Sequence, residues 1–243
     1  MSEAVQAKSE LQRWRDALGV MIRLICFRAS SSELAKIGWR HFAIGLFCTW
    51  LVGVGRYWDN PRVGLLQHLG IGSVIYIFVL SLFLWLVIWP LGPRNWTYLK
   101  VLTFISLVSP PAALYAIPVE KFAGLEFANT INAWLLAIVA TWRVALLIFY
   151  LRRSGQLKWL PTIVAAGLPL TIIVVALAML NLERVVFNFM GGIDDTSPND
   201  SAYGILFLLS LLSVALFVPL LICYLWILVD RLTTAKYRVK NDE

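Results

Sequence analysis

Long apolar runs separated by short polar segments divide this chain. A helix needs about 20 mostly apolar residues to cross the hydrocarbon core of a bilayer, and six runs reach or approach that length. They cover residues 41–58, 63–89, 99–117, 127–151, 161–182 and 203–229. The pattern predicts an all-α fold, a polytopic membrane helical bundle with six transmembrane helices. The first run is the weakest, because its uncharged part stops at Gly55.

A different periodicity precedes the first run. Apolar residues recur at spacings of three and four, while Arg13, Arg15 and Arg23 fall on other faces. The apolar row consists of Leu11, Trp14, Leu18, Met21, Ile22 and Ile25. This pattern predicts an N-terminal amphipathic interfacial helix. The alternative is a helix that packs against the protein's own cytoplasmic loops. Ser30, followed three residues later by Glu33, predicts a capping box that opens the next helix.

The basic residues indicate how the runs are oriented. With the N-terminus inside, sixteen Lys and Arg residues fall in cytoplasmic segments and four in outer segments, which is the positive-inside bias. The outer four are Arg56, Arg62, Lys121 and Arg184. This split predicts a cytoplasmic N-terminal segment (1–36), a six-helix transmembrane domain (37–230) and a cytoplasmic tail (231–243). The predicted location is a bacterial cytoplasmic (inner) membrane.

Composition agrees with a chain surrounded largely by lipid. Charged residues make up 14% of it, against about a quarter in soluble domains. The formal charge of +7 comes from cations scattered singly through the loops, without a nucleic-acid reader motif. We therefore expect the lipid bilayer as a partner, with anionic lipid at the cytoplasmic face, and no nucleic acid.

The chemistry needed for catalysis is missing from the pattern. The two histidines, His41 and His68, lie near ends of predicted spans on opposite faces, and no span has an acidic residue in its interior. The cysteines show no metal-binding spacing. We expect no catalytic residue, no cofactor and no metal site, so the chain is not predicted to be an enzyme.

Three residues within the spans are candidates for function. Arg143 is the basic residue that lies well inside a span, and Pro110 and Pro111 interrupt the third span. Prolines free backbone carbonyls that can bind a ligand, although they are more often simple kinks. The partners open to Arg143 are those carbonyls, Asp230, or an anionic lipid or ligand group. The alternative is an arginine that snorkels and only sets the depth of its helix.

The central region resembles Yip1-domain membrane proteins. The residues that carry the resemblance are Val101, Leu102, Thr103, Phe104, Ser109, Pro110, Pro111, Ala116, Ile117, Pro118, Asn132 and Trp134. The resemblance implies clustered spans, a cytoplasmic N-terminal segment and a role as a membrane scaffold or adaptor without an enzymatic site. The motifs that precede the first spans in eukaryotic members are absent here.

Two functional hypotheses follow. The first is a non-enzymatic scaffold or subunit of a membrane complex, with a membrane-protein partner or a homo-oligomer as its assembly. The second is a transporter or channel for a small solute or lipid, favoured by the prolines within spans and by Arg143.

Overall fold

The structure is a computed structural model that describes residues 2–57, 64–119, 122, 125–180 and 200–241. Those ranges consist of helices joined by turns and short loops and contain no strand, which confirms the all-α class. The helices are α1 Ser2–Ile25, α2 Ser31–Ala35, α3 Trp39–Tyr57, α4 Leu65–His68, α5 Ile71–Ile88, α6 Tyr98–Leu107, α7 Leu125–Arg153, α8 Trp159–Met179 and α9 Asp200–Asn241. Two 3-10 segments, Trp89–Leu91 and Pro110–Ala116, follow α5 and α6.

Four stretches of the described chain are long and apolar enough to cross a membrane. They are Ile71–Leu91, Thr130–Arg153, Trp159–Met179 and Leu208–Thr234. A fifth is added if α6 and the 3-10 segment after it, which are bent by 42°, form one broken span. These stretches coincide with five of the six predicted spans. Helix α3 falls short in apolarity because Arg40, His41 and Arg56 lie within its end turns.

The second predicted span begins later than the sequence indicated. Residues 65–68 form the separate helix α4, and the long helix starts only at Ile71. Gly70 divides the two, because its backbone is left-handed with φ of 67°. A Cβ on Gly70 would lie 2.8 Å from the carbonyl oxygen of Trp50, so α3 and this turn are in close contact. The prediction of one continuous helix over 63–89 was therefore wrong at its start.

Helix α3 packs against α1, α5 and α6, and small residues permit its close packing. Gly45 faces α6, where a Cβ would overlap the hydroxyl of Ser106. Gly53 faces α5, where a Cβ would lie 2.7 Å from the hydroxyl of Ser73. Thr49 lies between them at the same helical spacing. Close contact of α3 with α5 and α6 therefore stabilises this helix in the bundle although its hydropathy is low.

The hydrophobic core joins α1, α2, α5, α6, α7, α8 and α9, and partly buried side chains of α3 pack against it. Its largest fully buried side chains include Tyr150 and Phe104, whose rings stack with centroids 4.3 Å apart. Leu24 of α1 and Leu34 of α2 are completely buried in the same cluster. The segment before the first predicted span is therefore part of the folded core.

Several predicted cytoplasmic segments meet at one end of the bundle, which we call the basic end. The Ser31 hydroxyl donates to the carbonyl of Arg153 at 2.7 Å. The backbone N–H of Arg94 donates to the carbonyl of Gly155 at 2.9 Å. Arg231 of α9 donates to the carbonyl of Pro90 at 2.9 Å. Hydrogen bonds thus join α2 to the end of α7, the 92–97 loop to the 154–158 loop, and α9 to the 3-10 segment that follows α5.

The capping box predicted at Ser30 is confirmed. The Glu33 carboxylate accepts from the Ser30 backbone at 2.8 Å, and the Ser30 hydroxyl accepts from the Glu33 backbone at 3.3 Å.

Helix α9 has 42 residues, about 63 Å at the helical rise. It therefore extends beyond its apolar stretch and through most of the predicted tail. Of the predicted outer cations, Arg62, Lys121 and Arg184 lie outside the described residues.

Candidate functional site

At the helix break caused by Pro110 and Pro111, other groups supply the hydrogen bond that the prolines cannot make. Pro110 has no N–H to donate to the carbonyl of Ser106, four residues earlier. That carbonyl accepts instead from the Ser109 backbone at 3.2 Å and lies 3.5 Å from the Thr49 hydroxyl. The Thr49 hydroxyl is also 2.7 Å from the Ser109 hydroxyl and 2.8 Å from the carbonyl of Gly45. The Ser106 carbonyl is therefore engaged within the bundle.

Arg143 lies beside the 3-10 segment that contains the two prolines. Its charge and that of Arg56 both act on the hydroxyl of Tyr115, which belongs to that segment. The Arg56 guanidinium lies over the Tyr115 ring, 5.3 Å from its centroid. Arg143 and Arg56 thus lie near Tyr115, which follows the two prolines in the same 3-10 segment.

Arg143 forms no hydrogen bond or ion pair within the described part of the chain, and its Nε is buried without a partner. Helical side chains tilt toward the N-terminus of their helix. In α7 that direction leads away from Arg152 and the basic end, and toward Tyr115. Asp230, a predicted alternative partner, is exposed on α9 near the basic end and is not joined to Arg143.

Helix α1 has two apolar faces where the sequence predicted one. The inner face consists of Ala17, Val20, Met21 and Leu24, each at most 8% exposed. The adjacent row leaves Leu11, Leu18 and Ile22 at 63%, 42% and 53% exposure. Met21 was predicted in the exposed row and is instead buried. We call Leu11, Leu18 and Ile22 the outer stripe.

The inner face is held by side-chain contacts as well as by packing. The Trp142 indole of α7 donates to the carbonyl of Ile25 at 3.1 Å. Trp14 packs edge-on against Trp39 with centroids 5.3 Å apart. Trp142 lies eleven residues before Arg153, about 16 Å along α7. The end of α1 is therefore joined to α7, and its start is joined to α3 through the Trp14 and Trp39 contact.

Ion pairs join α1 to neighbouring helices at two positions. Arg40 of α3 donates to both carboxylate oxygens of Glu10 at 3.1 Å. Arg23 lies 2.6 Å from Glu33 of α2. Hydrogen bonds from the Ser30 backbone and hydroxyl, followed by the Arg23 contact, lower the pKa of Glu33. Helix α1 is thereby joined to both α2 and α3.

Sequence reasoning missed the inner face because Ala17 and Val20 were not counted with the apolar row. A second row at spacings of three and four, from Ala17 through Val20 to Leu24, was the signal that could have identified it. It also missed the Thr49 and Ser109 pair, since hydroxyl residues in apolar helices carry no distinctive spacing.

No known protein family, curated protein or solved structure matches this chain. The resemblance to Yip1-domain proteins stays a prediction.

Proposed function

We propose that this chain is a non-enzymatic integral protein of the bacterial cytoplasmic membrane that serves as a scaffold or subunit of a membrane complex. The observation that carries the proposal is the second apolar face of α1. Val20 and Leu24 hold the helix to the bundle, whereas Leu11 and Leu18 remain exposed. A helix whose only role was to pack on the bundle would need the buried apolar face but not the exposed one.

The occupant proposed for the outer stripe is the bilayer. Interfacial helices bury an apolar face about 5–10 Å into the boundary between headgroups and acyl chains and keep basic residues near the headgroups. Arg15 is exposed beside the stripe, Arg13 is exposed on another face of α1, and Trp39 is exposed at the start of α3. Anionic lipid at the cytoplasmic face would attract these cations. The basic end would then be a rigid platform at the membrane surface for a partner protein or a second copy.

We also propose that the chain has six spans and that both of its termini are cytoplasmic. It is supported by the split of basic residues, sixteen against four, and by the contacts that gather α2, two loops and α9 at the basic end. Reporter fusions after residues 95 and 155 and at the C-terminus should behave as cytoplasmic. Fusions near residues 60, 123 and 195 should behave as external. A cytoplasmic fusion near residue 60 would remove the first span and contradict the six-span topology.

Copurification tests the scaffold function. The tagged full chain, mildly solubilised from its native membrane, should carry a protein partner or a second copy at a fixed ratio. Leu18→Asp, which places a charge in the outer stripe, should reduce that ratio severalfold, because α1 no longer holds the platform at the surface. Gln12→Asp is the matched control, since it adds the same charge at an exposed position outside the stripe. Purification of both variants and of the natural chain as isolated monomers would contradict the scaffold function.

Arg143 supports the second candidate, a transporter or channel for a small solute or lipid. A guanidinium in the interior of an apolar helix costs roughly 2.5–3.5 kcal/mol on insertion scales. Its unpartnered Nε beside Tyr115 favours an anionic ligand that it would hold with two hydrogen bonds.

Two substitutions separate that role from depth anchoring. On this hypothesis Arg143→Lys and Arg143→Leu both abolish the phenotype that depends on the gene, because lysine cannot replace a bidentate contact. A depth anchor tolerates lysine, so retention of the phenotype by Arg143→Lys, or by both well-expressed variants, would contradict a ligand site.

A further inference from the structure

A cavity of about 330 Å³ lies between α1, the segment after α2 and the start of α3. Its walls include Arg13, Asp16, Lys36, Trp39 and Arg40. All of these belong to the part of the molecule proposed to contact the membrane surface. The volume is large enough for a phosphate ester with a short polar substituent.

The charged groups in the wall are of both signs. The cations are Arg13, Lys36 and Arg40, and the carboxylates are Asp16 and Glu33. Glu33 is already engaged by Arg23 and by the Ser30 cap. The wall therefore offers a ligand its cations and one carboxylate, that of Asp16. This combination matches a zwitterion better than a simple anion.

Three wall groups have unused bonding capacity. Lys36 and Asp16 are exposed and form no ion pair within the described residues. Arg40 is held by Glu10 through Nη2 and lies over the Trp39 ring, 5.1 Å from its centroid, yet its Nε is buried without a partner. The contact with Glu10 thus positions the Arg40 guanidinium in the cavity wall before a ligand binds.

We propose that this cavity binds the phosphoethanolamine headgroup of a phospholipid. Lys36 and Arg40 hold the phosphate, and Asp16 accepts from the ammonium group. Charge-assisted hydrogen bonds of this kind are the stronger ones in proteins. Phosphatidylglycerol offers the same phosphate but no cation for Asp16, so the cavity should prefer the ethanolamine lipid.

A lipid is favoured over a soluble phosphate ester by the apolar surface near the cavity. Trp39, a wall residue, is 59% exposed. Trp39 also packs edge-on against Trp14 of α1, so an exposed aromatic surface borders the cavity. Acyl chains can lie along these side chains while the headgroup occupies the cavity. This inference rests on the proposed contact between α1 and the bilayer.

Native mass spectrometry of the full chain in detergent tests the proposal. The probes are dioctanoyl phosphatidylethanolamine, dioctanoyl phosphatidylglycerol and soluble phosphoethanolamine. The natural chain should retain the ethanolamine lipid about tenfold better than the other two. Lys36→Gln should lower its retention about tenfold, and Asp16→Asn should remove the preference over phosphatidylglycerol. Lys158→Gln, the same change at an exposed lysine outside the cavity and outside α1, is the matched control and should change nothing.

Each other outcome overturns the proposal. Equal retention of the two lipids by the natural chain excludes the role of Asp16, and unchanged retention in Lys36→Gln excludes the phosphate site. Soluble phosphoethanolamine bound as tightly as the lipid would make a free phosphate ester the ligand. Both substituted side chains are exposed, and circular dichroism checks that the variants fold. The isolated chain is used without a partner protein, so failure here is distinguishable from failure of the scaffold function.

Discussion

Replacing Gly45 with alanine should separate α3 from α6. A Cβ at this position would overlap the Ser106 hydroxyl and lie 2.8 Å from both the Leu107 nitrogen and the Ser106 carbonyl carbon. The hydroxyl can rotate away, but the two backbone atoms cannot. Comfortable contact begins at about 3.5 Å, so the interface has to open by about 0.7 Å.

The cost of that opening has two parts. A gap of 0.5–1 Å forfeits roughly a quarter to a half of each dispersion contact across the interface. The 2.7 Å hydrogen bond between Thr49 and Ser109 also spans this interface and would be stretched, at about 0.5–1.5 kcal/mol. Together these agree with the cost of overpacking, about 1–3 kcal/mol. For a chain of this size we expect the melting temperature to fall by about 2–12 °C.

Thermal unfolding of the purified chain in one detergent provides the assay. Gly72→Ala is the control, because it places the same methyl group on a helix where nothing lies within 4 Å. Gly72→Ala should melt no lower than the natural chain. Adding Ser106→Gly to Gly45→Ala should restore only part of the loss, because the backbone contacts remain. A melting temperature of Gly45→Ala equal to or above that of the natural chain would refute the close packing of α3 on α6.

Three further substitutions probe the described contacts. Gly92→Ala should cost about 1–2 kcal/mol in unfolding experiments, because φ is 63° there and the Arg231 guanidinium occupies the space; no loss would contradict this turn. Thr49→Val keeps the shape but removes the hydroxyl, and should cost about 1–3 kcal/mol, whereas an unchanged melting temperature would exclude the buried pair. Glu33→Gln should flatten the acid dependence of stability. The pKa of Glu33 is lowered by folding, so its contribution is present above the ordinary value of 4.5 and is lost as pH falls through the folded value. Parallel acid melting curves for Glu33→Gln and the natural chain would contradict that contribution.

The sequence predicted the elements whose signal is local. The apolar runs located α5, α7, α8 and α9, and the Ser30 and Glu33 spacing predicted the cap that the structure has. The start of α5 was misplaced because residues 65–69 continue the apolar run, while only the left-handed backbone of Gly70 ends the helix. Composition alone does not distinguish a glycine that breaks a helix from one that permits close packing.

The candidate site was predicted in part. Arg143, Pro110 and Pro111 were singled out by charge and by proline, and the structure places Arg143 near Tyr115 of the 3-10 segment that begins with the two prolines. Tyr115 and the Thr49 and Ser109 pair were missed, because their importance depends on contacts between helices far apart in sequence. The cavity likewise combines Arg13 of α1 with Lys36 and Arg40, which no local pattern connects.

Helix α1 packs on the bundle with one face, and the outer stripe is proposed to contact the bilayer. Nitroxide labels on single cysteines at residue 18 and at residue 12, in the full chain with its three natural cysteines replaced by serine and reconstituted into vesicles, test it most directly. We predict that the label at residue 18 collides mainly with oxygen, which concentrates in lipid, and the label at residue 12 mainly with a water-soluble nickel chelate. Equal exposure of both labels to the nickel chelate would contradict the membrane-bound stripe.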